Sequence, residues 1–190
     1  MSATSERPLR ADAQRNRDRI LAVAVRAFSG GGPDVTLDSI ARDACVGIGT
    51  LYRHFPTREA LVEAAYRNEL ARLCDAAAGL LQAMPPDQAT RAWMDRFIDY
   101  MTTKLGMADA LRAVIASGGD PFAQSRGRLV GAITMLLEAG AEAGTMRGDV
   151  APADVLASLS GVSLATGEPA RREQASRLLD LLMDGLRYRG

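Results

Sequence analysis

The segment from Thr36 to Phe55 reads TLDSIARDACVGIGTLYRHF and decides how the N-terminal part of this 190-residue chain folds. Thr36 can cap a short helix that starts at Leu37. Pro56 disfavours helical geometry at the residue before it, which ends a second short helix there. Small or apolar residues stand where two such helices must pack: Ile40, Ala41, Ala44, Val46 and Leu51. This pattern predicts a helix-turn-helix.

The second predicted helix carries the residues that a helix-turn-helix presents to the major groove of DNA. They are Gly47, Ile48, Thr50, Tyr52 and Arg53. No carboxylate occurs from residue 44 to residue 58, and a surface that faces DNA has to avoid repelling phosphates. Two alternatives stay open from the residues alone. Helical hairpins in ordinary protein cores share this pattern, and a solvated charge explains Arg53 as well as a DNA contact does.

The composition of the whole chain excludes several other classes of protein. Lys and Arg together number 23, as do Asp and Glu, so the chain is not a wholly basic nucleic-acid coat. Its apolar runs are far shorter than the roughly 20 residues of a membrane span, so we expect a cytoplasmic protein without membrane contact. His54 is the single histidine, and Cys45 and Cys74 lack CxxC spacing. We therefore predict no catalytic residue, no metal site and no cofactor.

Helix-forming residues are frequent throughout, and no stretch shows the sustained alternation of apolar and polar residues that is typical of strands. Glycine and proline punctuate the chain at intervals that suit short connections. We therefore expect an all-α fold of about nine helices. The predicted helices cover residues 11–29, 37–44, 48–54, 58–84, 88–104, 108–117, 122–143, 152–166 and 170–187.

The N-terminal third resembles the TetR family of bacterial transcriptional regulators. The matching positions are Thr36, Ile40, Ala41, Ala44, Val46, Gly49, Thr50, Leu51, Tyr52, His54, Phe55, Arg58, Glu59 and Leu61. The resemblance implies a homodimer in which residues 1–56 form a helix-turn-helix domain that binds double-stranded operator DNA. Residues 57–190 would form a helical domain that dimerises and binds a small-molecule effector. The expected function is a repressor that the effector releases from a palindromic operator.

The resemblance also assigns individual contacts with DNA phosphates. The residues concerned are Thr36, Thr50, Tyr52, His54 and Arg58. Cys45 departs from the family's pattern because it stands where the family usually has glycine, and a left-handed backbone there would carry strain of about 1 kcal/mol. Gly47 stands where serine often caps the recognition helix. Both departures favour the alternative, an all-helical small-molecule-binding or scaffold protein with a degenerate helix-turn-helix.

The last two predicted helices are apolar on more than one side. Apolar positions of the final helix spread over about 200°, which is more than one core-facing stripe needs. We therefore predict that both helices pair with their copies in a four-helix dimer interface, although a fully buried central helix is the alternative. The expected interface residues are Val155, Leu159, Val162, Leu178, Leu181, Leu182 and Gly185.

The middle helices contain most of the methionine and aromatic side chains of the chain. These residues are Trp93, Phe97, Tyr100, Met101, Met107, Leu111, Phe122 and Met135. Such side chains are usually core. The resemblance nevertheless places the family's ligand cavity among the middle helices, and adaptable methionines with one polar tyrosine suit a bulky, mostly apolar effector. The residues do not specify the compound.

Overall fold

The computed structural model describes residues 6–30, 35–166 and 171–187, with side chains from residue 12 onward. In these ranges every regular element is an α-helix, and the one β-type pairing is an isolated bridge between Met146 and Arg187. The prediction of an all-α fold is confirmed. The helices are α1 Glu6–Gly30, α2 Leu37–Asp43, α3 Ile48–His54, α4 Arg58–Ala83, α5 Pro86–Gly106, α6 Ala108–Ala116, α7 Ser125–Glu142, α8 Pro152–Ala165 and α9 Arg172–Leu186.

Several helix ends differ from the prediction. Helix α1 begins at Glu6, five residues before the predicted start. Helix α5 begins at Pro86, because the fixed φ angle and missing N–H of proline suit the first helical turn. Helix α7 begins three residues later than predicted, since the Ser125 N–H donates a 2.9 Å hydrogen bond to the Phe122 carbonyl and closes a turn there. The predicted start of the last helix, residue 170, lies outside the described residues.

The chain divides into two compact units. The first comprises residues 1–68 and 106–121, and the second comprises residues 69–105 and 122–190. The start of α4 and the whole of α6 therefore belong to the unit of the N-terminal helices. A functional boundary at residue 56 stays a prediction. Among the described helices, none has the length and apolar character needed to cross a membrane.

The first unit is held together by aliphatic side chains from α1, α2, α3 and α4. Ile20, Leu21, Ile40, Leu51 and Leu61 are fully buried. Burying one such side chain stabilises the fold by about 1.5–3 kcal/mol. Because α3 has only seven residues and buries Leu51 alone, most of its surface remains available for contacts outside the protein.

In the second unit, polar contacts fix α5 against α9. The Arg91 guanidinium lies 2.7 Å from the Asp180 carboxylate and 2.6 Å from Asp95 on its own helix. It also donates a 2.9 Å hydrogen bond to the Ser176 hydroxyl. Two turns further along α5, Asp99 pairs with Arg172 of α9 at 2.6 Å. These contacts set the register of the two helices.

Candidate nucleic-acid interface

Helix α2 begins at the cap that its sequence predicts. The Ser39 N–H donates a 3.1 Å hydrogen bond to Thr36 Oγ1, and the Ser39 hydroxyl donates to the Thr36 carbonyl at 2.8 Å. Thr36 itself is exposed. A hydroxyl that accepts one hydrogen bond still has its own proton to donate, so Thr36 can cap α2 and contact a phosphate at the same time.

The turn between α2 and α3 contains the one described residue other than glycine with a positive φ angle, Cys45 at φ 53°. The Cys45 N–H donates to the Arg42 carbonyl and the Val46 N–H donates to the Ala41 carbonyl, both at 3.0 Å. This pair of bonds is the Schellman arrangement, in which glycine is the usual left-handed residue. The left-handed conformation that makes Cys45 strained is therefore confirmed, and the turn keeps its hydrogen bonds despite the missing glycine.

Helix α3 presents a half-apolar surface to solvent. Gly47 precedes the helix without a side-chain cap, and the Thr50 N–H donates a 2.8 Å hydrogen bond to its carbonyl. Leu51 faces the interior, whereas Ile48 is 36% exposed and Tyr52 is 48% exposed. Neighbouring large apolar side chains on an exposed helix are typical of a surface that a binding partner covers. The surface of α3 thus has the character of a binding face.

The remaining predicted residues of α3 differ in how far they reach solvent. Arg53 is exposed, whereas Thr50 and His54 are half-buried. The imidazole centroid of His54 lies 6.1 Å from the ring centroid of the buried Phe55. The half-buried Arg17 of α1 also contacts Phe55, with its guanidinium 5.6 Å from the ring centroid, whereas the sequence suggested only a solvated arginine. No local pattern could reveal this contact, because 38 positions separate Arg17 from Phe55.

Arg58 has contacts within the protein that the sequence did not predict. Its guanidinium donates to the carbonyl of Val35, the residue before the α2 cap, and lies 4.7 Å from the ring centroid of Phe28. The side chain is half-buried. These contacts tie the start of α4 to the last turn of α1 and to the residue before the α2 cap, so Arg58 supports the helix-turn-helix from within the protein.

Comparison with known proteins decides what this arrangement is. Residues 20–65 match the family model "Bacterial regulatory proteins, tetR family", and residues 85–188 match "Transcriptional regulator SbtR-like, C-terminal domain". The crystal structure of a TetR transcriptional regulator from Streptomyces coelicolor is 60% identical over 92% of this chain and 99% of its own, with a TM-score of 0.87. The chain belongs to the TetR family. It is a DNA-binding transcriptional regulator.

A second TetR regulator, from Mycobacterium vanbaalenii, agrees with this assignment. It is 36% identical over 95% of this chain and 100% of its own, with a TM-score of 0.78. None of the curated proteins matches the chain. The contacts of individual residues with DNA remain predictions for this TetR-family member.

The predicted dimer residues of this TetR regulator lie on two different sides of α8 and α9. Val155 and Leu159 are buried in the protomer, which leaves no surface on them for a partner. Leu181 is 67% exposed, and Gly185 is exposed as well. The others, Val162, Leu178 and Leu182, are half-buried. Leu164 of α8, which the sequence analysis did not select, is 73% exposed.

The predicted ligand residues do not form one group. Met107 and Leu111 are buried in the first unit, and the other six belong to the second. In the second unit the rings of Trp93 and Phe97 lie 5.9 Å apart in the core, and the Trp93 indole N–H donates to the Leu73 carbonyl at 2.9 Å. These contacts make both rings part of the packing.

Three other predicted ligand residues of the second unit are less buried. Met101 and Phe122 are half-buried, and Met135 is 44% exposed on α7. The Lys104 ammonium lies 4.8 Å from the centroid of the Phe122 ring, and burial lowers the pKa of this lysine. Of the eight residues, Tyr100 lines a cleft of about 430 Å³ between α4 and α5. This cleft is more polar than the apolar cavity that the sequence suggested.

Proposed function

We propose that this TetR-family regulator is a homodimeric repressor that binds a near-palindromic operator through α3 and leaves it when a small-molecule effector binds. The observation that carries the proposal is the outer surface of α3, where Ile48, Tyr52 and Arg53 are exposed and no carboxylate occurs from residue 44 to residue 58. A helix in the major groove needs this combination of apolar contact, hydrogen-bonding groups and positive charge.

The roles in DNA binding divide between position and specificity. Thr36, Thr50, Tyr52 and His54 would contact phosphates, which fixes the orientation of α3 on the duplex without reading sequence. Ile48 can pack on a thymine methyl group, and Arg53 is long enough to reach a base edge or a phosphate. Gly47 lets the backbone come close to DNA at the start of α3.

A palindromic operator needs two copies of α3, and exposed apolar residues of α8 and α9 support the proposed dimer. Leu164 of α8 and Leu181 of α9 are the two most exposed large apolar residues among those described, at 73% and 67%. The exposed sides of α8 and α9 would pair with their copies as a four-helix bundle. Two recognition helices in such a dimer would contact half-sites about 34 Å apart, or a small multiple of it.

Effector release would act through α4. This helix is continuous from Arg58 to Ala83, so it carries residues of the first unit at its start and of the second unit at its end. An effector that shifts α4 would change the spacing of the two recognition helices, with a coupling free energy of about 1–3 kcal/mol. Because both copies must fit the operator at once, a small change in spacing weakens all contacts together.

A regulator of chromosomal operators in bacteria works in the cytoplasm, and this location is part of the proposal. Catalysis is not. The alternative function is an all-helical small-molecule-binding or scaffold protein that no longer reads DNA, and the glycine missing at Cys45 is the observation in its favour.

The test is a selection of bound fragments from the genomic DNA of the source organism with the purified full-length protein. We expect enrichment of fragments that share a near-palindromic site, with an affinity that falls steeply as salt rises. A parallel selection with Tyr52→Ala serves as the control and should lose the enrichment. Random fragments recovered equally by both proteins would favour the scaffold alternative and contradict the proposal.

A further inference from the structure

The cleft between α4 and α5 brings together side chains that no sequence motif connects. Its wall includes Arg72, Arg96, Asp99, Tyr100 and the buried Leu73. Its volume of about 430 Å³ lies within the range of small-molecule sites, about 300–1,000 Å³. The cleft belongs wholly to the second unit. It therefore has the size of a ligand site and a lining that is mainly polar.

The cleft lining carries two arginines and two carboxylates, but one of its arginines has no carboxylate partner in the described part of the chain. Arg72 lies 3.3 Å from Glu69, which also lines the cleft, so these two charges compensate each other. Asp99 is compensated from outside the cleft, because it pairs with Arg172 of α9 at 2.6 Å. Within the described ranges no carboxylate lies within ion-pairing distance of Arg96. Arg96 is thus the one guanidinium of the lining without a carboxylate partner among the described residues, and Tyr100 and Leu73 line the same cleft.

We propose that this cleft binds a small organic carboxylate, whose acid group pairs with Arg96 and whose apolar part contacts Leu73 and Tyr100. A guanidinium offers two parallel N–H donors that match the two oxygens of a carboxylate. A neutral ligand of the same shape leaves Arg96 unpaired and binds less tightly. As an effector site the cleft rests on the proposed function, whereas the binding of the carboxylate does not depend on it.

Asp99 gives an occupant of this cleft a route to α9. One carboxylate takes part both in the cleft wall and in the ion pair with Arg172. An anion held by Arg96 repels the neighbouring Asp99 carboxylate, so occupancy weakens the ion pair of Asp99 with Arg172 and with it the link between α5 and the first turn of α9. Ligand binding in the cleft would therefore affect α9, the helix that carries the exposed Leu181.

The test is a ¹⁹F NMR titration of the full-length protein without DNA, with 4-(trifluoromethyl)benzoate as the probe. The neutral control ligand is 4-(trifluoromethyl)benzamide, which has the same shape. We expect saturable binding of the benzoate and about threefold weaker binding of the amide, since an ion pair with an exposed arginine contributes modestly to affinity.

Protein variants locate the site. Arg96→Gln should weaken benzoate binding about threefold, whereas Arg96→Lys should retain part of it because the charge remains. Arg126→Gln is the matched control, since Arg126 is an exposed arginine of α7 in the same unit and outside the cleft lining. Arg96 is itself exposed, so melting curves of these variants should match the wild type.

Three results would overturn the proposal: equal binding of benzoate and benzamide, wild-type affinity in Arg96→Gln, or no saturable binding of benzoate at millimolar concentration. The titration contains no DNA. A failed operator selection would therefore contradict the repressor and leave this result unchanged, and the reverse holds as well.

Discussion

The N–H of Val46 donates a 3.0 Å hydrogen bond to the carbonyl of Ala41, and this bond passes over the left-handed residue Cys45. Helices α6 and α7 end in the same pair of bonds, but there the left-handed residue is Gly118 or Gly144. Backbone hydrogen bonds therefore hold the turn between α2 and α3 in its left-handed conformation. The Cβ atom of Cys45 adds strain to this conformation.

Cys45→Gly should stabilise the protein by about 1 kcal/mol, because glycine adopts positive φ without the clash of a Cβ atom. Cys45 is exposed, so its removal leaves no cavity. Urea unfolding measures the change. Cys45→Ala is the control and should have the stability of the wild type, since alanine keeps the Cβ atom. A less stable glycine variant would show that Cys45 is not strained.

Arg58→Gln should destabilise the protein by about 1–2 kcal/mol, because it removes the hydrogen bond to the Val35 carbonyl and the stacking on Phe28. Chemical unfolding measures this loss. Operator binding measured over a range of salt concentrations separates the two roles of Arg58. If the residue mainly supports the fold, the salt dependence stays as in the wild type. A slope smaller by about one would instead assign Arg58 a phosphate contact.

Leu181→Ser should weaken the dimer by about 2 kcal/mol, since it removes an apolar side chain from the proposed interface. Sedimentation equilibrium gives the dissociation constant. Leu105→Ser is the control, because Leu105 is also a partly exposed leucine, at 43%, but lies on α5. A wild-type protein that is monomeric at micromolar concentration would contradict the four-helix interface.

Arg91→Gln should cost about 1–2 kcal/mol of stability, because the side chain of Arg91 is only 20% exposed and loses two ion pairs and the hydrogen bond to Ser176. Thermal unfolding should show a clear shift. Arg187→Gln removes an equally close pair with Asp184, but both side chains are about half exposed, so its effect should stay within about 0.5 kcal/mol. Equal shifts in the two variants would mean that the contacts between α5 and α9 contribute little.

The elements of this fold that sequence predicts well are the local ones. The cap at Thr36 and the end of α3 before Pro56 depend on neighbours within four positions, so they can be predicted from residue types alone. The left-handed turn at Cys45 followed from the resemblance to the TetR family, which usually has glycine there, because cysteine itself does not favour positive φ. These features are sufficient to fix the helix-turn-helix.

The elements that sequence cannot predict depend on distant neighbours. Val155 and Leu181 look equivalent as apolar helical residues, but contacts of α8 with α7 and α9 bury the first and leave the second exposed. Asp99 and Arg172 are 73 positions apart, and only the packing of α5 on α9 brings them together. The polar cleft also depends on the packing of two helices, α4 and α5, which the sequence does not reveal. Composition alone favoured methionine and aromatic residues, and several of these are core residues.

The most direct test of the DNA-binding face is the operator affinity of Tyr52→Ala, measured with a selected operator fragment. Tyr52 and Ile115 belong to the same unit and are 48% and 49% exposed, so Ile115→Ala is a matched control on α6. Loss of the Tyr52 side chain should weaken binding about tenfold, with unchanged unfolding, because contacts with DNA and not with the core are removed. The control should bind as the wild type does. Wild-type affinity in Tyr52→Ala would contradict the assignment of α3 as the surface that binds DNA.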